Sequence, residues 1–233
     1  MPATAIQRGV CVEAAGARLA GWLYLPPDPK GLVIFSSSRD LMRIDRRQVD
    51  LSEALNRRGL GTLLFDLVET TDSAEAERDI GMLAGRLLGA SGWSRKQWGV
   101  SGLPLGYVGS GLGSAAALSA AAALIPRVRA IASHGGRPDL AGSAIAEVNA
   151  PTLLLADADD PTEVEAARAA AASLPAPHRV HRERRGAKQT GRWAATPLIC
   201  RWMEWHLAEL KDLVSRPPGD GLNISMATNE WAW

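Results

Sequence analysis

Short apolar runs alternate with longer segments of helical period along most of this sequence. Five runs of four or five residues carry almost no polar side chain, as is typical of strands buried on both faces of a sheet. They lie at 32–35, 62–65, 105–108, 128–132 and 152–155. Ahead of them, residues 9–14 and 18–25 alternate between apolar and polar around Ala15 and Gly16, which predicts an antiparallel hairpin.

The segments between these strands predict helices. Residues 48–58 place Val49, Leu51 and Leu55 on one side and end before Gly59, a common helix stop. Further helices are predicted at 76–90, 140–147, 163–173 and 197–214, with a last strand at 178–182. A hairpin followed by strand–helix alternation predicts an α/β fold. We expect a mostly parallel twisted sheet with an N-terminal antiparallel hairpin and helices on both faces, in one domain over residues 1–215.

Composition and charge narrow the function classes. Of the 233 residues, 46% are hydrophobic and 22% are charged, which is ample material for a core. A net charge of +1 gives no electrostatic case for binding nucleic acid. No run of about 18 apolar residues predicts membrane insertion, and no secretory leader is recognisable, so we expect a cytoplasmic protein. Cys11 and Cys200 lie in periodic segments and are predicted to be buried thiols.

Residues 216–233 depart from the strand–helix pattern. Residues 217–221 read Pro-Pro-Gly-Asp-Gly, which predicts a linker, and the residues that follow include Met226, Trp231 and Trp233. Tryptophan is favoured at interaction hot spots. The segment is therefore expected either to fold back on its own domain or to dock on a partner.

A strand, a glycine turn and a small-residue helix follow one another at residues 105–118. Gly109 and Gly113 stand two residues to either side of Gly111. This is the layout of a nucleophile elbow, in which G-x-S-x-G presents a catalytic serine at the end of a strand. The position of that serine is occupied by Gly111.

Several segments beyond the elbow resemble the dienelactone-hydrolase-like branch of the α/β-hydrolase superfamily, over about residues 9–213. They are the Leu-Phe-Asp run at 64–66, the glycine-rich segment at 133–140, the strand at 150–154 and the aspartate loop at 157–161. The resemblance implies an α/β-hydrolase fold. It also implies a serine, an acid and a histidine in that chain order as the catalytic triad.

Two of the three triad positions carry residues that cannot do this chemistry. Asp159 is the best match for the acid, but the expected histidine position is Gln189, and glutamine cannot act as a general base near neutral pH. Candidate substitutes are Ser110 beside the elbow and His134 at a strand end. His134 is alternatively a structural histidine with its hydrogen bonds satisfied.

The segment after the 32–35 strand also differs from the family pattern. Relatives place a histidine–glycine run there, whereas this chain has three serines followed by Arg39. We expect Ser36, Ser37 and Arg39 to line the mouth of a vestigial pocket. No metal-ligand spacing is recognisable, and the glycine-rich turn lacks the lysine of a phosphate-binding loop, so no metal or cofactor is expected.

Two function classes follow. The joint changes favour a degenerate hydrolase that acts as a binding, scaffold or complex-subunit protein. Such a protein would have a protein partner or a second copy bound through residues 217–233, or a small ligand in the vestigial pocket. The alternative is a non-canonical enzyme of the same fold that uses the vestigial pocket: a lyase, isomerase or cyclase that relies on positioning and acid–base groups, with Ser110, Asp159 and His134 as the candidates, or a weak esterase. Hydrolysis by Ser110 would still lack an identified base.

Overall fold

The computed structural model describes residues 5–37, 46–124, 128–184 and 194–207. The described strands are Ile6–Ala14 (β1), Ala17–Leu25 (β2), Gly31–Ser37 (β3), Leu60–Asp66 (β4), Leu105–Ser110 (β5), Ala130–His134 (β6), Thr152–Asp157 (β7) and His178–Glu183 (β8). The described α-helices are Arg46–Asn56 (α1), Ile80–Ser94 (α2), Gly113–Ala123 (α3), Pro161–Ser173 (α4) and Thr196–Leu207 (α5). Segments of 3₁₀-helix occupy Ala76–Arg78 and Pro138–Glu147. None of the described helices is long and apolar enough to cross a membrane.

The strands form a single sheet in the order β1-β2-β4-β3-β5-β6-β7-β8. The pairs β1/β2 and β2/β4 are antiparallel, and the remaining pairs are parallel. The predicted α/β-hydrolase architecture, with its antiparallel hairpin at the start of a mostly parallel sheet, is confirmed.

Helices cover the two faces of the sheet unequally. On one face, which we call the α2–α3 face, α2, α3 and α4 pack on Leu32, Tyr107 and Ile131 among others. On the other, the α1–α5 face, α1 and α5 pack on Val33, Val108 and Leu153 among others. Because successive side chains of a strand point to opposite faces, both faces of the central strands are apolar, as the continuous runs predicted.

Some sequence predictions are corrected. The helix expected at 76–90 is a 3₁₀ turn followed by α2, which starts after Asp79 because that carboxylate accepts the Met82 N–H at 3.1 Å and caps the helix. The last helix is described to Leu207, and its predicted continuation to 214 lies outside the described residues.

The prediction for Cys11 was wrong and that for Cys200 is confirmed. Cys11 is exposed, because β1 is an edge strand and this residue points to the side of the hairpin that faces away from α2. Cys200 is a residue of α5 and is buried against the sheet, and this burial raises the pKa of its thiol to about 11.

Candidate functional site

The turn between β5 and α3 keeps the backbone geometry of an elbow without the nucleophile. Gly111 has a φ of 58°, a left-handed conformation that costs a residue with a Cβ about 1–2 kcal/mol. Its carbonyl accepts the N–H groups of Ser114 and Arg137, both at 3.3 Å. Gly111 is exposed, so what the elbow presents at its tip is backbone alone.

The start of α3 lies unusually close to the end of β3. A Cβ added to Gly113 would lie 2.0 Å from the backbone oxygen of Ser36. The Ser36 hydroxyl in turn donates to the Gly113 carbonyl at 2.9 Å and is buried. Ser36 therefore connects the end of β3 to the start of α3, while its predicted place at a pocket mouth stays a prediction.

Ser37, Ser110 and His134 lie in one row across neighbouring strands. The register pairs Ser37 with Ser110, and Ser110 with His134. Residues in register on parallel strands point to the same side, here the α1–α5 face at the carboxyl edge of the sheet. Ser37 and His134 are buried and Ser110 is half-buried. The structure thus brings together both predicted substitutes, Ser110 and His134.

His134 has a carboxylate partner that the sequence reasoning missed. Its Nε2 lies 2.7 Å from Glu183 Oε1, and both side chains are buried. Glu183 is the last residue of β8, two strands away from β6. Strand alternation could have placed Glu183 on the α1–α5 face, but only the register across β7 shows that it meets His134.

The predicted acid lies outside this row. Asp159 follows β7 on an exposed loop, and its Oδ1 is 3.9 Å from the Arg184 Nε, a contact between two exposed side chains. Its backbone N–H donates to Asp157 Oδ1 at 3.1 Å. An exposed pair of this kind contributes little to stability, so the geometry gives Asp159 no fixed orientation toward the elbow.

Another carboxylate, that of Glu163 on α4, holds the glycine-rich loop beside the elbow. Its two oxygens accept the backbone N–H groups of Gly136 at 3.3 Å and Asp157 at 3.0 Å. The Ser114 hydroxyl donates to the Gly135 carbonyl at 3.0 Å from the other side. The glycine-rich loop is thereby fixed between α3 and α4, immediately beside Gly111.

The same loop carries an arginine–aspartate pair. Arg137 donates from Nε and Nη2 to the Asp139 carboxylate, with the shortest distance 2.7 Å. This hydrogen bonding holds the pKa of Asp139 below its usual value. Because the two side chains pair with each other, the Asp139 carboxylate is directed toward Arg137 and not toward the elbow.

The remaining candidates lie outside the described residues: Arg39, Gln189, Trp231 and Trp233. Within the described part of the chain, no group of three or more histidine, cysteine or carboxylate side chains is arranged to hold a metal ion.

No family model matches the chain. Two curated proteins from strains of Mycobacterium tuberculosis, whose names assign them provisionally to the phosphoribosyl transferases, are 41% identical over 170 residues. The match covers 71% of this chain but 38% of each relative, so this chain spans well under half of their length.

Solved structures resemble the whole described domain. A dienelactone hydrolase from Anabaena variabilis superposes with a TM-score of 0.79 at 32% identity, covering 87% of this chain and 99% of that one. The esterase Est1E from Butyrivibrio proteoclasticus (TM-score 0.67, 13% identity, 88% of this chain and 99% of that one) shares the fold. So does an esterase domain from Rhodothermus marinus (TM-score 0.66, 19% identity, 87% of this chain and 100% of that one). Because the match to the Anabaena enzyme covers 87% of this chain and 99% of that one at 32% identity, this chain belongs to the dienelactone-hydrolase family of the α/β-hydrolase superfamily.

Proposed function

We propose that this chain is a degenerate member of its family and acts as a binding, scaffold or complex-subunit protein. The observation that carries the proposal is Gly111 at the tip of the elbow, with a φ of 58° and no side chain to attack a substrate. Serine hydrolysis needs a hydroxyl at that point and a base within hydrogen-bonding distance of it. Gln189, at the expected histidine position, supports the same conclusion.

We further propose a phosphoribosyl transferase as the partner class. In the Mycobacterium relatives the matching region is 38% of a longer chain whose name refers to that activity. In those relatives, the region similar to this chain is part of the same polypeptide as the rest of the protein. This supports the proposal that the present chain binds a phosphoribosyl transferase. Residues 217–233, with Trp231 and Trp233, are the proposed contact with this partner. A second copy of this chain is the other candidate partner.

We also propose that the protein works in the cytoplasm. Cys11 is an exposed free thiol, which supports a reducing compartment such as this one.

We expect the full chain to co-elute in size-exclusion chromatography with a phosphoribosyl transferase from the same organism. The Trp231→Ser/Trp233→Ser double variant should bind about tenfold more weakly or worse, because truncating a hot-spot tryptophan costs about 2 kcal/mol or more. Trp98→Ser is the matched control, since Trp98 is 84% exposed and lies outside that segment. No co-elution of the wild type would argue against this partner class, and equal co-elution of both variants would argue against the segment.

A second candidate function is non-canonical acid–base catalysis. The observation that favours it is the buried pair of His134 Nε2 and Glu183 Oε1 at 2.7 Å, one strand away from Ser110. A base oriented by a carboxylate, next to a hydroxyl, is the arrangement that general acid–base or nucleophilic chemistry requires. In this alternative Ser110 would contact the substrate and His134 would transfer its proton.

Ester turnover separates the two candidates. With p-nitrophenyl acetate as the probe, we expect the wild type to hydrolyse the ester no faster than the Ser110→Ala and Asp159→Ala variants do. The wild type already has Gly111 and Gln189 at two triad positions, and loss of a triad member removes most of the rate enhancement. Turnover that disappears in Ser110→Ala and survives in Asp159→Ala would favour the second candidate. Turnover that disappears in Asp159→Ala would mean that the aspartate loop takes part in catalysis, and it would contradict the first candidate.

A further inference from the structure

The hairpin of β1 and β2 has one face that no described helix covers. Its other face packs on α2 through Val12, Leu19 and Leu23. The described helices of the α1–α5 face pack on β4, β5 and β6 instead. The exposed residues at the middle of this side are Gly9, Cys11, Ala20 and Trp22, which we call the open hairpin face; the polar Gln7, Glu13 and Arg18 are exposed at its two ends.

Because the residues around Trp22 are small, the open hairpin face is a shallow apolar surface on which another segment could pack. The register places Gly9 opposite Trp22 and Cys11 opposite Ala20. A Cβ added to Gly9 would meet nothing within 4 Å, and Trp22 is 52% exposed. An apolar patch with a large aromatic side chain at its centre and open space beside it is typical of a surface that another segment covers.

The chain that follows α5 starts on this side of the sheet. Leu207 packs over Gly31 at the beginning of β3; a Cβ added to Gly31 would lie 3.0 Å from the Leu207 Cβ. Only β4 separates β3 from β2, a distance of two strand spacings, or about 10 Å. A random coil as long as the chain from Leu207 to Trp231 has an end-to-end distance of about 25–30 Å, and if the helix continues to residue 214 as predicted, the remaining residues to Trp231 still span about 20–25 Å. The open hairpin face is therefore well within its reach.

Residues 222–233 carry apolar side chains that match the open hairpin face. Between 222 and 233 the sequence carries Leu222, Ile224, Met226, Trp231 and Trp233, with a single charged residue. We propose that residues 222–233 dock on the open hairpin face of their own chain, with Trp231 and Trp233 against Trp22. The inference goes beyond the proposed function, because it concerns where this segment rests when no partner is bound.

The same chain is the expected occupant because the segment is tethered. A short linker gives a tethered segment an effective concentration of the order of millimolar at its target, far above the micromolar concentration of a second copy. Docking within one chain is therefore favoured over docking on a second copy, because the chain after Leu207 is long enough to reach the open hairpin face.

Thiol labelling of Cys11 in the full chain tests this proposal. Cys11 lies on the open hairpin face, while Cys200 is 1% exposed and serves as the slow internal reference. With 5,5′-dithiobis(2-nitrobenzoic acid), Trp231→Ser/Trp233→Ser is expected to label at Cys11 at least about fivefold faster than the wild type, since a docked segment leaves the thiol accessible only in the minor undocked population. The control Trp98→Ser should label like the wild type, and equal melting temperatures would show that all three chains are folded.

Two results would overturn the proposal. Equal Cys11 labelling rates in the wild type and the double variant would mean that the segment does not cover this face. Protection that grows with protein concentration would place the segment on a second copy instead of its own chain. Neither readout involves ester turnover or a partner, so failure here is distinguishable from failure of the proposed function.

Discussion

The Gly113→Ala variant is expected to lose about 3 kcal/mol of its free energy of unfolding. The new Cβ would lie 2.0 Å from the Ser36 oxygen and 2.6 Å from its carbonyl carbon, and both are backbone atoms. β3 cannot move away, because it pairs with β4 on one side and β5 on the other. Overpacking that forces the backbone to shift costs about 1–3 kcal/mol and sometimes more, and a contact this short belongs at the upper end.

Urea unfolding of Gly113→Ala beside Gly92→Ala measures the effect. Gly92 lies in α2, where an added Cβ would meet nothing within 4 Å. Alanine is about 1 kcal/mol better than glycine inside a helix, so this control should gain stability. Equal urea midpoints for the two variants would mean that α3 and β3 are less tightly apposed than the structure has them.

The second large effect is expected at the pair of His134 and Glu183. His134→Leu should destabilise the domain by about 3–5 kcal/mol, because removing one partner leaves the Glu183 carboxylate buried without its imidazole. His134→Leu/Glu183→Leu should cost much less than the two single variants added together, since replacing both members of a buried pair by apolar side chains is often nearly neutral.

A double-mutant cycle, again by urea unfolding, supplies the measurement. The single and double variants at His134 and Glu183 give the coupling free energy directly, and a value near 3 kcal/mol is expected. Glu183→Gln is a conservative companion that keeps a hydrogen-bonding group at the same place. If the losses of unfolding free energy in the two single leucine variants add up to the loss in the double variant, the coupling free energy is zero. The contact between His134 and Glu183 would then not stabilise the domain.

The fold was predictable because it depends on periodicity that a single sequence carries. The continuous apolar runs of β3 and β5 can be buried only between two helical layers, and the alternation before Leu25 requires a hairpin. Cys11 escaped this reasoning because an alternating edge strand can carry an apolar residue on its open face as well as on its covered one.

The site was less predictable, because its contacts depend on register between distant strands. Gly111 could be recognised from local spacing alone. The meeting of His134 with Glu183 requires the alignment of β6, β7 and β8, and the role of Ser36 depends on how closely α3 approaches β3. Neither can be read from the residues next to each other in sequence.

Under the proposed function, the left-handed conformation of Gly111 bears on how reversible a loss of hydrolysis would be. A serine restored there would again have to be held at a φ that glycine adopts freely, so the first step back would lower stability. With Gln189 still in the histidine position, that step would bring no catalysis in return. A return to hydrolysis would therefore pass through a variant that is less stable and still inactive, which selection would remove. Under the proposed function, we expect selection to act instead on how well the domain binds its partner.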